Sequence, residues 1–371
     1  MQLRGSKQAA VAGGAVIAAL ALAACSSSSS STPASTSTGS STASSTASAA
    51  ASGSGTLNAA GSSFQNTFQQ AAKSAFKSVN SNITVNYDSV GSGTGRDDLY
   101  SNTVLMAGSD SPIPSSETAK IPAGKTVLYF PVVIGPIAIT YNLPTVKTLK
   151  LSPTVLAEIF QGTITTWNNS AIAALNPGVT LPSTAITTAV RSDSSGTTQN
   201  FSLYLQTAAP KTWTLGSAST IKWPSTAHAG AQNTGVATIV KSTPGAIGYV
   251  DYTDAISTGL QMAEIQNKAG DYVAPTPAGA STDAASATIA SNLTFAAADA
   301  SSAATAYPVS YQSWDLVYAE QPNANDVAML KSYLGYLLGD GQQLLSSLYY
   351  APLPASLDQK AIAQLSQITS S

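Results

Sequence analysis

Apolar residues follow two periods that alternate along the chain, and this alternation most constrains the fold. Short runs rich in Val, Ile and aromatic residues predict strands at 83–90, 126–141, 185–191 and 246–252. Predicted helices are one with an apolar stripe at Phe64, Phe68, Ala72, Ala75, Phe76 and Val79, one from Ser152-Pro153 to Gly162, and two over 327–338 and 360–368. Strands alternating with helices predict an α/β fold with largely parallel sheets. At roughly 150 residues per domain, the 371 residues suggest two domains.

The N-terminus has the pattern of an export signal. Arg4 and Lys7 precede an uncharged apolar run over 8–24, shorter than the about 20 residues that span a bilayer. Leu22-Ala23-Ala24-Cys25 then resembles the lipobox of bacterial lipoproteins, whose Cys is lipidated and becomes the new N-terminus. We predict a lipoprotein signal peptide over 1–24 and a diacyl anchor on Cys25 that holds the protein on the outer side of the cell membrane. An ordinary signal peptide with an incidental Cys is the alternative.

Two stretches of the chain have low complexity. Residues 26–55 contain 20 Ser or Thr and neither a charged nor an aromatic side chain. Such a segment cannot bury a core, so residues 25–55 are predicted to be the lipidated Cys and a flexible tether. Residues 276–305 are again rich in Ala, Ser and Thr and are predicted to be a surface excursion with weak helical tendency.

The composition excludes several classes of function. With one Cys and one His in the chain, an intramolecular disulfide and Cys-cluster or multi-His metal sites are excluded. His228, in a Thr/Ala/Gly loop, is predicted to be a surface residue. The net charge of −2, without a basic run, argues against nucleic acid as a partner. No Walker A motif or GxSxG elbow occurs, and neither a cofactor nor a metal is predicted.

Four short polar segments carry the chemistry that remains. Three of them stand where a strand or loop leads into a helix, and Gly, Ser and Thr dominate them. Exposed N–H groups, hydroxyl donors and the positive end of a helix make such junctions suited to anions, although helix caps look the same one at a time. The segments are Ala60-Gly61-Ser62-Ser63-Phe64, Gly91-Ser92-Gly93-Thr94-Gly95-Arg96, Ala107-Gly108-Ser109-Asp110-Ser111 and Arg191-Ser192-Asp193-Ser194-Ser195-Gly196-Thr197-Thr198.

The charged residues in these segments sharpen the prediction. After residue 24 the chain has only Arg96 and Arg191, both inside polar segments, and Arg suits bidentate recognition of an oxyanion. Asp193 could hold the Arg191 guanidinium in place. Asp110 is an acceptor among donors, which suits an oxyanion that still carries a proton, such as hydrogen phosphate, but not sulfate. A turn residue before Pro112 is the alternative for Asp110.

These motifs, in this order, resemble the phosphate-binding lipoproteins of the high-affinity phosphate ABC transporter. The resemblance continues through the Pro131–Ala138 crossover segment, the stretch from Leu151-Ser152-Pro153 to Trp167-Asn168, and Thr243-Pro244-Gly245-Ala246-Ile247-Gly248-Tyr249-Val250, and it is looser over 305–368. It implies a two-lobe, type II periplasmic-binding-protein-like α/β fold. Each lobe would be a mainly parallel sheet flanked by helices, and two crossover strands would join them. The implied boundaries are 56–133 with 302–371 for lobe 1 and 134–301 for lobe 2.

The resemblance also implies a set of ligand contacts. Asp193 would support Arg191, whereas Arg96 is not a usual ligand of the family and is expected at the rim or paired with Asp97 or Asp98. Val104-Leu105-Met106 departs from an Asp-Phe pair common in the family, and repacking is expected there. Implied phosphate contacts are Ser63, the backbone N–H of Phe64, Ser92, Asp110, Arg191, Ser195, Gly196 and Thr197.

The function implied is capture of inorganic phosphate between two lobes, without turnover, and delivery to the membrane permease of an ABC transporter. The expected protein is a monomer whose other partner is the membrane, through Cys25. The alternatives are a binding protein for another oxyanion such as sulfate, molybdate or a phosphonate, an exported phosphatase on the same scaffold, and a structural surface lipoprotein.

Overall fold

The computed structural model describes residues 53–370, so the predicted signal peptide, Cys25 and most of the predicted tether lie outside the described residues. Within that range, no helix combines the length and the apolar character needed to cross a bilayer. The first strand begins at Gly55. Ser54 already exchanges two backbone hydrogen bonds with the side chain of Asn325. The fold therefore includes the last residues assigned to the tether, because Asn325 pairs with their backbone.

Strands and helices alternate along the described chain. The strands are β1 Gly55–Gly61, β2 Ile83–Ser89, β3 Met106–Ser109, β4 Val127–Tyr141, β5 Lys150–Leu151, β6 Thr187–Arg191, β7 His228–Gly230, β8 Ala246–Asp251, β9 Gln261–Met262, β10 Glu264–Gln266, β11 Tyr272–Val273, β12 Ser310–Tyr318, β13 Glu320–Gln321 and β14 Thr369–Ser370. The α-helices are α1 Asn66–Val79, α2 Ser92–Tyr100, α3 Pro153–Phe160, α4 Ser170–Leu175, α5 Gly196–Ala208, α6 Gln232–Ser242, α7 Tyr252–Thr258, α8 Pro277–Ala284, α9 Ala324–Leu338 and α10 Ala355–Gln364. Short 3-10 helices are Ser115–Lys120, Asp340–Leu344, Ser346–Leu348 and Leu365–Gln367.

The main sheet has nine strands and changes character across its width. Its order is β2-β1-β3-β12-β4-β8-β6-β7, with β9 also paired to β4. β1 is parallel to β2 and β3 on one side, and β6 is parallel to β7 and β8 on the other. β12 and β4, which lie between them, are antiparallel to their neighbours. The sheet is therefore two parallel groups of strands joined through two antiparallel strands.

The long strand β4 belongs to both groups. Residues 127–136 pair with β12, and residues 137–141 pair with β8. All of its residues except Val127 are buried, which explains an apolar sequence without alternation, since both faces of the strand are covered.

Helix α1 covers one face of the first group. Phe68, Ala72 and Phe76 are at most 1% exposed, and the ring of Phe76 lies 5.1 Å from that of Tyr333 on α9. The predicted stripe is confirmed for these residues. Val79, at the end of the helix, is 63% exposed and does not belong to it.

Several predicted helix ends are confirmed by their caps. The side chain of Ser152 accepts a hydrogen bond from the backbone N–H of Val155, 3.3 Å away, and α3 follows with Pro153 at its first position. Asn323 caps α9 in the same way. Helix α10 begins earlier than the predicted residue 360, directly after Pro354, whose fixed φ suits a helix start.

Two predictions about the C-terminal part were wrong. Strand β12 was not predicted, although all nine of its residues are buried, because polar residues such as Ser313 and Asp315 interrupt its apolar pattern. Residues 276–305 are not a surface excursion. Ala280 and Asp283 on α8 are fully buried, and the carbonyl of Leu293 accepts a hydrogen bond from the indole of Trp314 on β12. Small Ala and Gly side chains let this segment pack closely on the sheet.

Candidate functional site

Polar segments follow the carboxyl ends of strands in both parallel groups and meet there. Gly91, between β2 and α2, has φ +89°, a conformation that glycine adopts at little cost, and its N–H bonds to the carbonyl of Gly61 at 2.8 Å. Two residues later, the N–H of Gly93 donates to the carbonyl of Ser194 at 3.0 Å. The loop before α2 is thus in direct contact with the loop before α5.

Asp110 follows β3 and lies at the centre of a group of hydroxyls. Its side chain is 1% exposed. The hydroxyls of Ser62 and Ser313 both donate to Oδ1, the second at 2.5 Å, and the hydroxyl of Ser92 lies 3.2 Å from Oδ2. Burial raises the pKa of Asp110, and these hydrogen bonds together with the charge of Arg191 oppose the rise.

Arg191 ends β6 on the other side of the contact. It is 4% exposed, and its Nε donates to Oδ1 of Asp193 at 2.9 Å. The backbone N–H of Gln232 donates to the same oxygen at 3.0 Å. Burial raises the pKa of Asp193, but the guanidinium outweighs it and leaves that pKa below its usual value. The predicted support of Arg191 by Asp193 is the geometry observed.

The N-terminus of α5 faces Asp110. Ser195 caps the helix by accepting from the N–H of Thr198 at 3.1 Å, and Thr197 Oγ1 lies 3.3 Å from Nη1 of Arg191. A Cβ added to Gly196 would lie 2.6 Å from the Cβ of Asp110. Only glycine therefore lets the positive end of this helix approach the carboxylate so closely.

Asn233, the second residue of α6, connects the two sides. Its amide Nδ2 lies 2.9 Å from the hydroxyl of Ser63 and 3.4 Å from that of Thr197. The same Nδ2 donates to Oδ2 of Asp251 at 2.6 Å, and Tyr311 donates to the other oxygen of that carboxyl. Burial raises the pKa of Asp251 well above its usual value.

Phe64 follows Ser63 and is held by aromatic packing. Its ring centroid lies 4.1 Å from that of Tyr311 and 5.0 Å from that of Tyr350, whose hydroxyl donates to the Phe64 carbonyl at 2.6 Å. The backbone N–H of Phe64 lies 3.1 Å from the hydroxyl of Ser62.

The predicted contact residues come together in one place. Ser92, Asp110 and Gly196 touch one another, and Arg191, Thr197 and Ser63 are linked through Asn233. Sequence reasoning gave no role to several residues that shape this place. No motif surrounds Asn233, but the polar residues inside the buried strand β12 were a usable signal. The residues missed are Ser62, Asn233, Asp251, Tyr311 and Ser313.

The expectation for Arg96 was wrong. Its side chain is fully buried rather than at a rim, and it pairs with Glu117 instead of Asp97 or Asp98, through Nε at 2.8 Å and Nη2 at 2.9 Å. Helix α2 turns Arg96 inward, whereas Asp97 pairs with Lys120 on the surface.

Comparison with known proteins places this geometry in a family. The PBP superfamily domain matches residues 31–340. The phosphate-binding protein PstS 3 of Mycobacterium tuberculosis is 36% identical over 279 residues, 73% of this chain and 75% of that protein. The phosphate-binding protein PstS of Pasteurella multocida is 37% identical over 292 residues, 76% of this chain and 81% of that protein.

Solved structures agree on the fold. The phosphate-binding protein from Stenotrophomonas maltophilia superimposes with a TM-score of 0.66 at 19% identity, over 83% of this chain and 93% of that one. A high-affinity periplasmic phosphate-binding protein, PfluDING, gives 0.68 at 20% identity, over 84% and 94%. The predicted two-lobe α/β fold of type II is confirmed. The chain belongs to the PBP superfamily and, within it, to the family of the PstS phosphate-binding proteins.

Proposed function

We propose that this protein captures inorganic phosphate outside the cytoplasm and delivers it to the permease of an ABC transporter. The observation that carries the proposal is one buried acceptor, Asp110, set against the N-terminus of α5 and the paired guanidinium of Arg191. Donors surrounding a single acceptor match a tetrahedral oxyanion that keeps one proton. The names of its relatives support phosphate as that oxyanion.

The donors come from both sides of the site. Their backbone and hydroxyl groups carry no net charge, and Arg191 supplies the one cation. Residues proposed to contact phosphate are Ser63, Phe64 through its N–H, Ser92, Asp110, Arg191, Ser195, Gly196 and Thr197, with Asp193 orienting Arg191.

Because these residues belong to two groups of strands, ligand would favour the closed arrangement of two lobes. The proposed lobes are residues 56–133 with 302–371, and 134–301. The switch of β4 from β12 to β8 after residue 136 supports a boundary there. A ligand that bridges both lobes binds the closed state better and so drives closure.

The remaining features are proposed from the sequence. The protein would be a monomer, exported by the signal over 1–24 and anchored to the membrane through lipid on Cys25. It would bind phosphate without changing it, since nothing proposed for the site acts as a nucleophile.

Calorimetric titration of the purified protein, freed of bound anion, tests the proposal. Phosphate should bind tightly with one-to-one stoichiometry, and sulfate should give no signal. Equal binding of sulfate would contradict the role of Asp110, and silence from both anions would contradict the proposed function. Turnover of a chromogenic phosphate ester, with and without divalent metals, would favour the phosphatase alternative instead.

A further inference from the structure

The two oxygens of the Asp110 carboxyl have different surroundings. Oδ1 receives the hydroxyls of Ser62 and Ser313. Oδ2 has the hydroxyl of Ser92 at 3.2 Å, and an added Cβ on Gly196 would lie 2.8 Å from it. Oδ1 is therefore turned toward the protein and Oδ2 toward the contact between the two sides.

Both serine hydroxyls are forced to donate to Oδ1. The oxygen of Ser62 already accepts from the N–H groups of Phe64 at 3.1 Å and Gln65 at 3.4 Å. The oxygen of Ser313 accepts from Nε2 of Gln65 at 2.7 Å. The other acceptor for the Ser313 proton, the carbonyl of Ser109, lies at 3.4 Å, against 2.5 Å for Oδ1. Since a hydroxyl has one proton, each points it at Asp110.

The direction of the Gln65 amide is itself fixed. Its Nε2 also donates to the carbonyl of Trp314 at 2.8 Å, which can only accept, and its Oε1 accepts from Gln69 at 2.9 Å. Oε1 of Gln69 in turn accepts from the hydroxyl of Tyr333 at 2.7 Å. This buried chain prevents the amide from flipping, so Ser313 cannot become an acceptor for a proton on Oδ1.

The two hydroxyls act against the effect of burial on Asp110. Burial raises its pKa, and the hydrogen bonds from Ser313 and Ser62 are the largest influences that lower it, ahead of the charge of Arg191. The other ionisable groups that act on Asp110 across the site are Asp251, Tyr87 and Tyr311, all buried.

We propose that Ser62 and Ser313 determine the anion specificity of this protein by keeping Asp110 an ionised, acceptor-only carboxylate. The inference rests on the proposed function and extends it. With Oδ1 doubly bonded, Oδ2 accepts the proton of a protonated tetrahedral oxyanion and repels a fully deprotonated one such as sulfate. Without the two hydroxyls, Asp110 holds a proton near neutral pH and becomes a donor to either anion.

The test compares wild type with Ser62→Ala, Ser313→Ala and the double variant, each titrated with phosphate and with sulfate from acidic to alkaline pH. The double variant should bind phosphate at least about tenfold more weakly near neutral pH and should bind sulfate measurably. Because the pKa of Asp110 rises, its loss of phosphate affinity on acidification should begin at a higher pH than in wild type.

Ser310→Ala is the matched control. Ser310 lies on the same strand, is fully buried and donates one hydrogen bond, but to the carbonyl of Tyr307 at 2.5 Å. It should keep the wild-type pH profile and phosphate-to-sulfate ratio. Asp110→Asn, a neutral carboxyl mimic, should resemble the double variant in that ratio.

NMR titration of the Asp110 carboxyl carbon, assigned with Asp110→Asn, gives a reading that does not depend on ligand. Each single variant, which removes one hydroxyl, should move that titration upward, so the test survives if the double variant does not fold. Wild-type phosphate binding with an unchanged ratio and carboxyl titration in the variants would overturn this inference alone. Failure of wild type to bind phosphate would overturn the proposed function as well.

Discussion

Two buried arginines stand about 95 residues apart in the sequence, and their surroundings differ in one respect. Arg96 gives Nε and Nη2 to Glu117, and its Nη1 lies 3.1 Å from the hydroxyl of Ser109 and 3.4 Å from that of Ser111. Arg191 gives Nε and Nη2 to Asp193, but its Nη1 has only Thr197 at 3.3 Å. Arg96 is enclosed by its own loop, whereas Arg191 keeps donor capacity where the two sides meet.

The comparison shows what separates a structural arginine from one suited to a ligand. Each guanidinium is held by a carboxylate, and in each case the pair lowers the pKa of the acid despite burial. Pairing therefore explains how both charges remain buried, but it does not identify the binding residue. The N–H groups left over after pairing do.

Exchanging each arginine for glutamine should separate the two roles. Arg191→Gln removes the cation of the site and should weaken phosphate binding by at least about a hundredfold, with a smaller effect on stability. Arg96→Gln leaves Glu117 without its partner and should lower the free energy of unfolding by about 2–4 kcal/mol, while affinity falls less than about tenfold. Calorimetric titration and chemical unfolding measure the two quantities. Equal loss of affinity in both variants would contradict the distinction.

The close approach of α5 to Asp110 gives the next largest effect. Gly196→Ala places a Cβ 2.6 Å from the Cβ of Asp110 and from the hydroxyl of Ser92, so the sides should no longer meet and phosphate affinity should fall by about tenfold or more. Gly335→Ala is the matched control, because this helical glycine has only a Leu365 methyl at 3.7 Å. It should bind as wild type does. Wild-type affinity in Gly196→Ala would show that the contact is not needed.

Asp283 tests the rule from the opposite direction, because this buried carboxyl has no arginine. Oδ1 accepts from the N–H of Ser301 at 2.8 Å, and Oδ2 has no hydrogen-bond partner among residues 53–370. Burial raises the pKa of Asp283 from 3.8 to about 7. The folded state therefore binds a proton that the unfolded state releases, and this contribution to stability is lost as pH rises from about 4 through about 7.

Asp283→Asn should accordingly unfold with a free energy about 1–3 kcal/mol above that of wild type at alkaline pH, and the difference should vanish near pH 4. Thermal unfolding across this range measures it. The exposed Asp340→Asn should show no such trend. A constant difference at every pH would mean that Asp283 does not titrate in the folded protein.

The smallest expected effect is that of salt. From residue 25 onward the chain has 14 basic and 18 acidic residues, since Arg4 and Lys7 account for two of the 16 basic ones. The attraction must come from one buried guanidinium and local N–H dipoles, which salt screens little. Phosphate affinity should fall less than about threefold between low and physiological salt, as measured by the same titration. A steep dependence would point to attraction by distant surface charges.

Local structure followed from local sequence wherever one short segment was sufficient. The period of α1, the cap at Ser152 and the apolar run of β4 each predicted the element found. Strand β12 was missed because Ser313 and Asp315 look like surface residues until their partners are known. The segment that contains α8 was misplaced for a similar reason, since Ala and Ser indicate neither burial nor exposure.

The sequence by itself determined the α/β alternation, the four polar segments, the family and which residues would surround the anion. The tertiary structure decided what each of them does. It buried Arg96 behind the site and left Arg191 in it, and it set Ser62, Ser313 and Asn233 around the predicted contacts. The physical reason is that helix and strand periods are local, whereas the direction of a hydroxyl or guanidinium depends on partners that only folding brings within about 3 Å.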